Sequence, residues 1–81
     1  MISLTLTIGN KKQRVTAKTV KDAVYKLKAP KTITMNGNLR MYNGSKFVYQ
    51  FPMTTIRLRR LFSVKYSFKD IFINSISKFL E

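Results

Sequence analysis

The chain contains no cysteine and no histidine, and its only acidic residues are Asp22, Asp70 and Glu81. Without cysteine it can form no disulfide bond and no thiolate zinc site, and it has no thiol nucleophile. Metal-dependent phosphoryl chemistry needs clustered carboxylates or imidazoles, and two of the three acids fall at helix starts instead. We therefore predict no metal, no other cofactor, no catalytic residue and no enzymatic activity.

Positively charged residues greatly outnumber the negatively charged ones. Sixteen lysine and arginine residues give this chain of 81 residues a net charge of +13. Self-repulsion of this size opposes folding, and it is best tolerated in a protein whose usual partner is a polyanion. At this length we expect a single domain, residues 1–81, with a modest core that a dimer would enlarge.

Long apolar runs are also missing. A membrane-spanning helix needs roughly twenty apolar residues, and the apolar runs of this chain are far shorter. The start, MISLTLTIGNKK, alternates polar and apolar residues instead of placing an apolar segment after a basic one, which predicts no signal peptide. We expect a protein that has no membrane span, is not secreted and lies in the cytoplasm or inside a virion. A viral or mobile-element origin is compatible with this location.

The N-terminal residues predict a β-hairpin. Residues 2–8 alternate between apolar and polar side chains, and residues 13–18 alternate again after a turn that begins at Gly9 and Asn10. Strict alternation is typical of antiparallel strands that bury one face only. The hairpin should therefore contribute one face to a core and leave the other face open.

A helix is predicted directly after this hairpin. Thr19 is a suitable N-cap residue, and Asp22 follows it at the spacing of a capping box. The helix should end before Pro30, because proline cannot continue it. Its buried stripe follows the helical spacing i, i+3, i+4 and i+7 and consists of Val20, Ala23, Val24 and Leu27.

The middle of the chain returns to alternation. Asn-Gly pairs at 36–37 and 43–44 predict two hairpin turns, because both central positions of such turns need positive φ. Short strands are expected on either side of each turn, and Pro52 ends the last of them.

Residues 55–67 contain the strongest alternation and predict one long strand. Ile56, Leu58, Phe62 and Val64 would face the core, while Arg57, Arg59 and Lys65 would face outward with no carboxylate nearby in sequence. Arg60 interrupts the apolar side and would extend to the rim of the sheet, bury only its stem or mark a bulge.

A second helix is predicted from a cap at Ser67, with Asp70 three residues later, to the C-terminus. Its inward stripe would consist of Phe68, Ile71, Phe72, Ser75, Ile76 and Phe79. Ile73 and Leu80 would lie on a flank of this stripe, either in a groove of the same chain or in contact with a second copy. They are the candidate homodimer contacts.

These elements predict an α+β fold in which two helices cover one face of an antiparallel sheet of about five to six strands, in the order ββα-ββββα. The segments TVKDAV at 19–24 and SFKDIF at 67–72 resemble each other. They fit either a weak internal repeat or two independent good helix starts.

The uncovered face of this sheet would carry cations and hydroxyl groups but no acid, which suits contact with phosphate groups. Tyr42 is the candidate for stacking on a base. The predicted nucleic-acid-binding residues are Arg57, Arg59, Lys65, Arg14, Lys18, Arg40, Lys46, Lys11, Lys12, Arg60 and Tyr42.

We therefore predict a non-enzymatic protein that binds DNA or RNA with low sequence preference, with single strands favoured over duplexes. A β-ribbon that enters the major groove of a duplex is the alternative within this class. The alternative from another class is a small inhibitor or adaptor that docks on an acidic or nucleic-acid-binding site of a larger protein.

Overall fold

A four-stranded antiparallel sheet forms one layer of the protein and helices form the other, so the predicted α+β class is confirmed. The computed structural model describes residues 1–63 and 68–80. The elements in these residues are β1 (Ile2–Ile8), β2 (Lys11–Ala17), α1 (Val20–Lys26), β3 (Gly37–Asn43), β4 (Lys46–Met53), α2 (Thr55–Leu61), α3 (Phe68–Ser77) and a terminal 3₁₀ helix (Lys78–Leu80).

The strand order in the sheet is β2-β1-β3-β4. The two hairpins, β1–β2 and β3–β4, are joined through their first strands, so that β1 and β3 form the centre of the sheet. Thr5 on β1 is opposite Arg14 on one side and opposite Arg40 on the other. The outer strands β2 and β4 form the two edges.

One hydrophobic core lies between the two layers. Leu4, Leu39 and Met41 are fully buried on the inner face of the central strands. Helix α1 packs on β1 and β2, α3 contacts both α1 and α2, and the terminal 3₁₀ helix contacts β4. The helices therefore cover one face of the sheet, and the other face is open.

The predicted hairpin and first helix are confirmed. The strands β1 and β2 pair along their whole length, and Gly9 adopts a φ of 60° in the turn between them. The Thr19 hydroxyl oxygen accepts a hydrogen bond from the Asp22 backbone N–H at 3.1 Å, as an N-cap does. All four residues of the predicted stripe, Val20, Ala23, Val24 and Leu27, are buried.

The predicted long strand is wrong over residues 55–61, which form α2. Thr54 is the N-cap of this helix, and its hydroxyl oxygen accepts from the Arg57 backbone N–H at 3.1 Å. Leu58 and Leu61 are fully buried, whereas Ile56 is 63% exposed. The spacing of Leu58 and Leu61 fits the period of a helix, whereas that of Ile56 and Leu58 also fits the period of a strand. The Thr54 cap favours the helix. The strand predicted over Val64 and Lys65 lies outside the described residues.

The first Asn-Gly pair does not form the predicted turn. Gly37 is the first residue of β3, and only Gly9 and Gly44 among the described residues have positive φ. A Cβ on Gly37 would collide with the backbone carbonyl of Thr7, so glycine is needed here for close strand approach. The second pair forms the β3–β4 turn as predicted, with a φ of 64° at Gly44.

Because the segment before Gly37 is not a strand and residues 55–61 form a helix, the described residues contain four strands and not five to six. They follow the order ββα-ββαα and not ββα-ββββα. Asn36 has another role: its side-chain oxygen accepts from both the backbone N–H and the hydroxyl of Thr55, each at 2.9 Å. This contact fastens the start of α2 to the chain that enters β3.

The predicted C-terminal helix is present as α3, but its buried stripe is rotated. Ile73 is only 8% exposed and Phe72 and Ile76 are also buried, while Ile71 is 64% exposed. Helix α3 packs between α1 and α2, so neighbours on both sides, and not the sheet alone, determine its buried face. Ile73 belongs to the core and Leu80 packs against it, which fits the alternative of a groove in the same chain. A homodimer contact through these residues stays a prediction. The Ser67 cap lies outside the described residues.

The two ββα units have a common spacing of 35 residues. This offset separates the first residues of β1 and β3, Ile2 and Gly37, and those of β2 and β4, Lys11 and Lys46. It also separates the N-caps of α1 and α2, Thr19 and Thr54. The repeat in the structure therefore pairs α1 with α2, and not with α3 as the similar segments at 19–24 and 67–72 suggested.

Candidate functional site

The open face of the sheet has a central row of polar side chains that crosses all four strands. Its members, from one edge to the other, are Arg14, Thr5, Arg40 and Gln50. Adjacent strands are about 4.8 Å apart, so the backbones that carry the two arginines are roughly 10 Å apart. The Arg40 Nε donates a hydrogen bond to the Gln50 Oε1 at 2.8 Å, which orients this guanidinium along the face.

A second row lies nearer the β1–β2 turn. It consists of Lys12, Thr7, Asn38 and Pro52. Lys12 and Asn38 are exposed and Thr7 is half-buried. The cationic character of the central row therefore continues along β2 toward the turn.

A third row lies at the opposite end and carries aromatic side chains. Ser3 is paired with Thr16, and their hydroxyl oxygens are 3.2 Å apart. Tyr42 is paired with Phe47, and their rings meet edge to face with centroids 5.7 Å apart. Phe47 is 50% exposed.

Phe47 reaches the open face because of a β-bulge. Met41 is opposite Tyr49 while Tyr42 is opposite Phe47, so Val48 is the extra residue in β4. One extra residue reverses the side to which the following side chains point. Strict alternation had placed Phe47 on the inner face with Tyr49 and Phe51, and sequence reasoning therefore missed it.

The three rows enclose a shallow concavity of about 680 Å³. It contains three cationic side chains and no carboxylate. Its lining residues are Thr5, Thr7, Lys12, Arg14, Asn38, Arg40, Tyr42, Gly44, Ser45 and Gln50.

Four of the predicted site residues, Lys12, Arg14, Arg40 and Tyr42, lie together in this concavity. Three further lysines lie in exposed positions beside the sheet: Lys11 begins β2, Lys18 follows its end, and Lys46 begins β4. Contact of any of these residues with nucleic acid stays a prediction.

Arg57 and Arg59 do not lie on the open face, which corrects their predicted position, and Arg60 is on neither the rim of a sheet nor a bulge. All three belong to α2 in the helical layer. The Arg57 guanidinium donates to the Pro52 carbonyl at 3.2 Å, and the Arg59 guanidinium donates to the Ile33 carbonyl at 3.0 Å. These two side chains fasten α2 to neighbouring backbone. Arg60 is exposed on the same helix, and Lys65 lies outside the described residues.

The carboxylates of Asp22 and Asp70 are in the helical layer, at the first turns of α1 and α3. The Tyr25 hydroxyl donates to the Asp70 carboxylate at 3.2 Å. This hydrogen bond raises the pKa of Tyr25 above its ordinary value of 10.0, and slight desolvation and the charge of Asp70 act in the same direction.

Within residues 1–63 and 68–80, no three side chains of the types that commonly bind metal come together. None of the helices in that part of the chain has the length and apolar character needed to cross a bilayer.

Comparisons with protein-family models, with curated proteins and with solved structures found no match. The function is therefore inferred from the residues of the chain itself.

Proposed function

We propose that this protein binds single-stranded DNA or RNA on the open face of its sheet, with little sequence preference. The observation that carries the proposal is the composition of the concavity: three cations, several hydroxyl groups and no carboxylate, beside an aromatic pair in which Tyr42 is half-buried and Phe47 is exposed. Such a partner is present in the cytoplasm and inside virions, where we expect the protein to act.

The cations supply the phosphate contacts. Arg14, Arg40 and Lys12 are exposed and lie on adjacent rows, so they can contact successive phosphates of one strand. Guanidinium and ammonium groups form charge-assisted hydrogen bonds with phosphate oxygens, and the threonine hydroxyls add neutral ones. Contacts of this kind position a backbone without reading its bases.

The aromatic pair favours single strands. Bases stack on exposed aromatic rings with about 1–3 kcal/mol per base, and they do so irrespective of sequence. In a duplex the base faces are already stacked on each other, so Tyr42 and Phe47 offer a contact that only an unpaired strand can use fully. The β-ribbon alternative loses its support, because Arg57 and Arg59 are not side by side on a strand.

Fluorescence anisotropy with a labelled single-stranded DNA, the same RNA and a duplex, each across a salt series, tests the proposal. The informative variant is Arg14→Gln with Arg40→Gln. Its matched control is Lys21→Gln with Lys78→Gln, which removes the same charge from exposed positions of the helical layer.

We expect the wild-type protein to prefer single strands. Each phosphate contact contributes about 0.7 to the slope of log K against log salt. The Arg14/Arg40 variant should therefore lose about 1.4 from this slope, while the control keeps the wild-type slope. No binding to any polynucleotide at low salt, or equal slopes for the two variants, would contradict the proposal.

A second candidate function, binding to a protein partner, rests on the edge of β4. Tyr49 and Phe79 are both about half exposed there, with ring centroids 4.5 Å apart, and Phe51 packs against both. Lys46 is the only charged residue of β4. An edge strand with a single charge at its start and aromatic side chains along it can accept an added strand from another protein.

The β2 edge is different. Lys11, Lys12 and Arg14 place charge along it. In addition, the Lys26 ammonium donates to the Thr16 carbonyl at 2.8 Å. Strand addition is therefore disfavoured at β2, whereas β4 offers the stretch 49–51, which has neither charge nor proline and lies between the bulge at Val48 and Pro52.

Capture of a protein partner from nuclease-treated extract tests this second candidate. Tyr49→Arg should abolish capture, while Ile71→Arg, an exposed apolar position on α3, should leave it intact. Capture that disappears on nuclease treatment favours the nucleic-acid function instead.

A further inference from the structure

A second concavity, of about 660 Å³, lies between the β1–β2 turn and the loop that follows α1. Its lining combines apolar side chains with lysines and small polar groups. The residues are Leu6, Ile8, Gly9, Asn10, Lys11, Lys12, Gln13, Lys28, Ala29, Pro30, Lys31, Thr32, Thr34 and Met35. We call it the loop pocket.

The loop is fastened to the hairpin at both ends. The Gln13 amide donates to the Lys28 carbonyl at 3.0 Å and accepts from the Lys28 backbone N–H at 2.6 Å. At the other end Met35 packs over the turn, where a Cβ on Gly9 would lie only 2.6 Å from the Met35 sulfur. Because both ends are held, the loop pocket exists before any ligand binds.

The chemistry of the loop pocket suits a ligand with an apolar body and a negative charge. Four lysines surround it, and no carboxylate lines it. The apolar side chains offer a surface on which a flat ring can pack. The lysines are Lys11, Lys12, Lys28 and Lys31, and the apolar residues are Leu6, Ile8, Ala29, Pro30 and Met35.

The loop pocket lies on the other side of the sheet from the open face, because Leu6 and Gln13 alternate along their strands with Thr5 and Arg14. The two concavities meet at the β2 edge. Lys12 lines both concavities, because it lies on β2 directly beside the turn. A strand whose phosphates contact Arg40 and Arg14 reaches the loop pocket by passing around the β2 edge, where Lys12 and Lys11 are both exposed.

We propose that the loop pocket receives one unstacked nucleotide, at one end of the same strand whose phosphates contact the open face. The inference rests on the proposed function and extends it. The base packs on the apolar floor, and its phosphate contacts Lys28 and Lys31. A nucleotide can enter only after it leaves the stack, which costs a few kcal/mol in a duplex and little in a single strand.

The test uses single-stranded oligonucleotides of about twelve nucleotides, within the range that small single-strand-binding folds cover. The fluorescent base 2-aminopurine replaces each position in turn, and backbone amide shifts are followed by NMR. We expect brighter emission at one terminal position only. We also expect amide shifts at Thr32 and Thr34 in the loop pocket together with shifts at Thr5 and Arg40 on the open face.

Lys28→Gln with Lys31→Gln removes the two pocket cations, and Lys21→Gln with Lys78→Gln again serves as the charge-matched control. The pocket variant should lower the salt slope by about 0.7, because the two lysines contact a single phosphate. It should also abolish the brighter emission, while the control changes neither. Equal emission at all positions, or amide shifts confined to the open face, overturns the inference and leaves the proposed function standing.

Two further outcomes separate the pocket from the face. If the wild-type protein binds none of the oligonucleotides, the proposed function itself is overturned. If adenosine monophosphate shifts the loop-pocket amides while oligonucleotides shift only the open face, the pocket binds a free nucleotide and the proposed continuity with the strand is wrong.

Discussion

Thr5 and Arg40 face each other across the central strands, and they are also separated by the 35 residues that relate the two ββα units. An approximate two-fold axis therefore passes between these two residues. The equivalent strands β1 and β3 pair around this axis, and the edge strands β2 and β4 lie equally far from it. The axis emerges in the middle of the open face, so Thr5 occupies the centre of the candidate site.

Placing a cation at Thr5 should strengthen binding and weaken folding. Thr5→Lys adds a third positive group between Arg14 and Arg40. One further phosphate contact raises the salt slope for single-stranded DNA by about 0.7. Like charges directly opposite on neighbouring strands cost about 0.2–1 kcal/mol per pair. Anisotropy and thermal unfolding measure the two effects.

The control for this variant is Ser75→Lys, which adds the same charge at an exposed position of α3. It should leave the salt slope at the wild-type value. Equal slopes for Thr5→Lys and Ser75→Lys would mean that the open face is not where the strand lies.

The helical conformation of residues 55–61 predicts very different losses of stability for two nearby apolar residues. Leu58→Ala should lower the free energy of unfolding by about 2–5 kcal/mol, because Leu58 is fully buried. Ile56→Ala should change it by no more than about 0.5 kcal/mol, because Ile56 is mostly exposed. Urea unfolding provides both values. In a strand the two residues would share one face, so similar losses for both variants would argue against the helix.

Glycine is required at positions 37 and 44 for different reasons. Substitution by alanine and by asparagine distinguishes a requirement for positive φ from a requirement for close packing. Gly44 has positive φ and open space around it, so Gly44→Ala should cost about 1–2 kcal/mol and Gly44→Asn less. At Gly37 a side chain would meet Thr7 backbone and would lie 2.9 Å from the Ile8 Cγ1 atom. Gly37→Ala should cost about 3 kcal/mol, and the larger Gly37→Asn more. Recovery with asparagine at Gly37 would contradict the packing explanation.

The Tyr25–Asp70 hydrogen bond predicts a pH effect at the alkaline end. A raised pKa in the folded protein means that the neutral hydroxyl is stabilised by folding. Its contribution is fully present below the ordinary tyrosine pKa and is lost as pH rises through the raised one. Tyrosinate absorbance of the wild type minus that of Tyr25→Phe gives the Tyr25 titration curve.

In an Asp70→Asn background this curve should move to lower pH. Asp22→Asn removes the same charge from α1 without touching the hydroxyl and serves as the control. A Tyr25 curve that is insensitive to Asp70 would show that the hydrogen bond is absent in solution.

Local signals in the sequence predicted much of this fold. Thr19 with Asp22 predicted the start of α1, the alternation of residues 2–8 predicted β1, and the pair Asn43-Gly44 predicted the β3–β4 turn. In each case one residue type or one period is strongly preferred by one conformation. The same alternation placed Arg14 and Arg40 on a common face, where they are found.

The errors arose where local signals were ambiguous or where packing decided the outcome. In α2 the spacing of Leu58 and Leu61 fits a helix, whereas the spacing of Ile56 and Leu58 fits a strand. The alternation over the longer segment favoured the strand, which is wrong here. The bulge at Val48 is an insertion that leaves no mark in the alternation, so Phe47 could not be placed correctly. The requirement for glycine at Gly37 depends on β1, a strand distant in sequence.

The contrast between the two edge strands limits how large an assembly can grow. A filament built by strand addition needs two receptive edges on every subunit. The charged β2 edge disfavours an added strand, so two copies that paired through β4 would present only β2 edges at the two ends of the combined sheet. Even at high concentration, pairing of sheet edges should therefore give closed pairs and no fibrils.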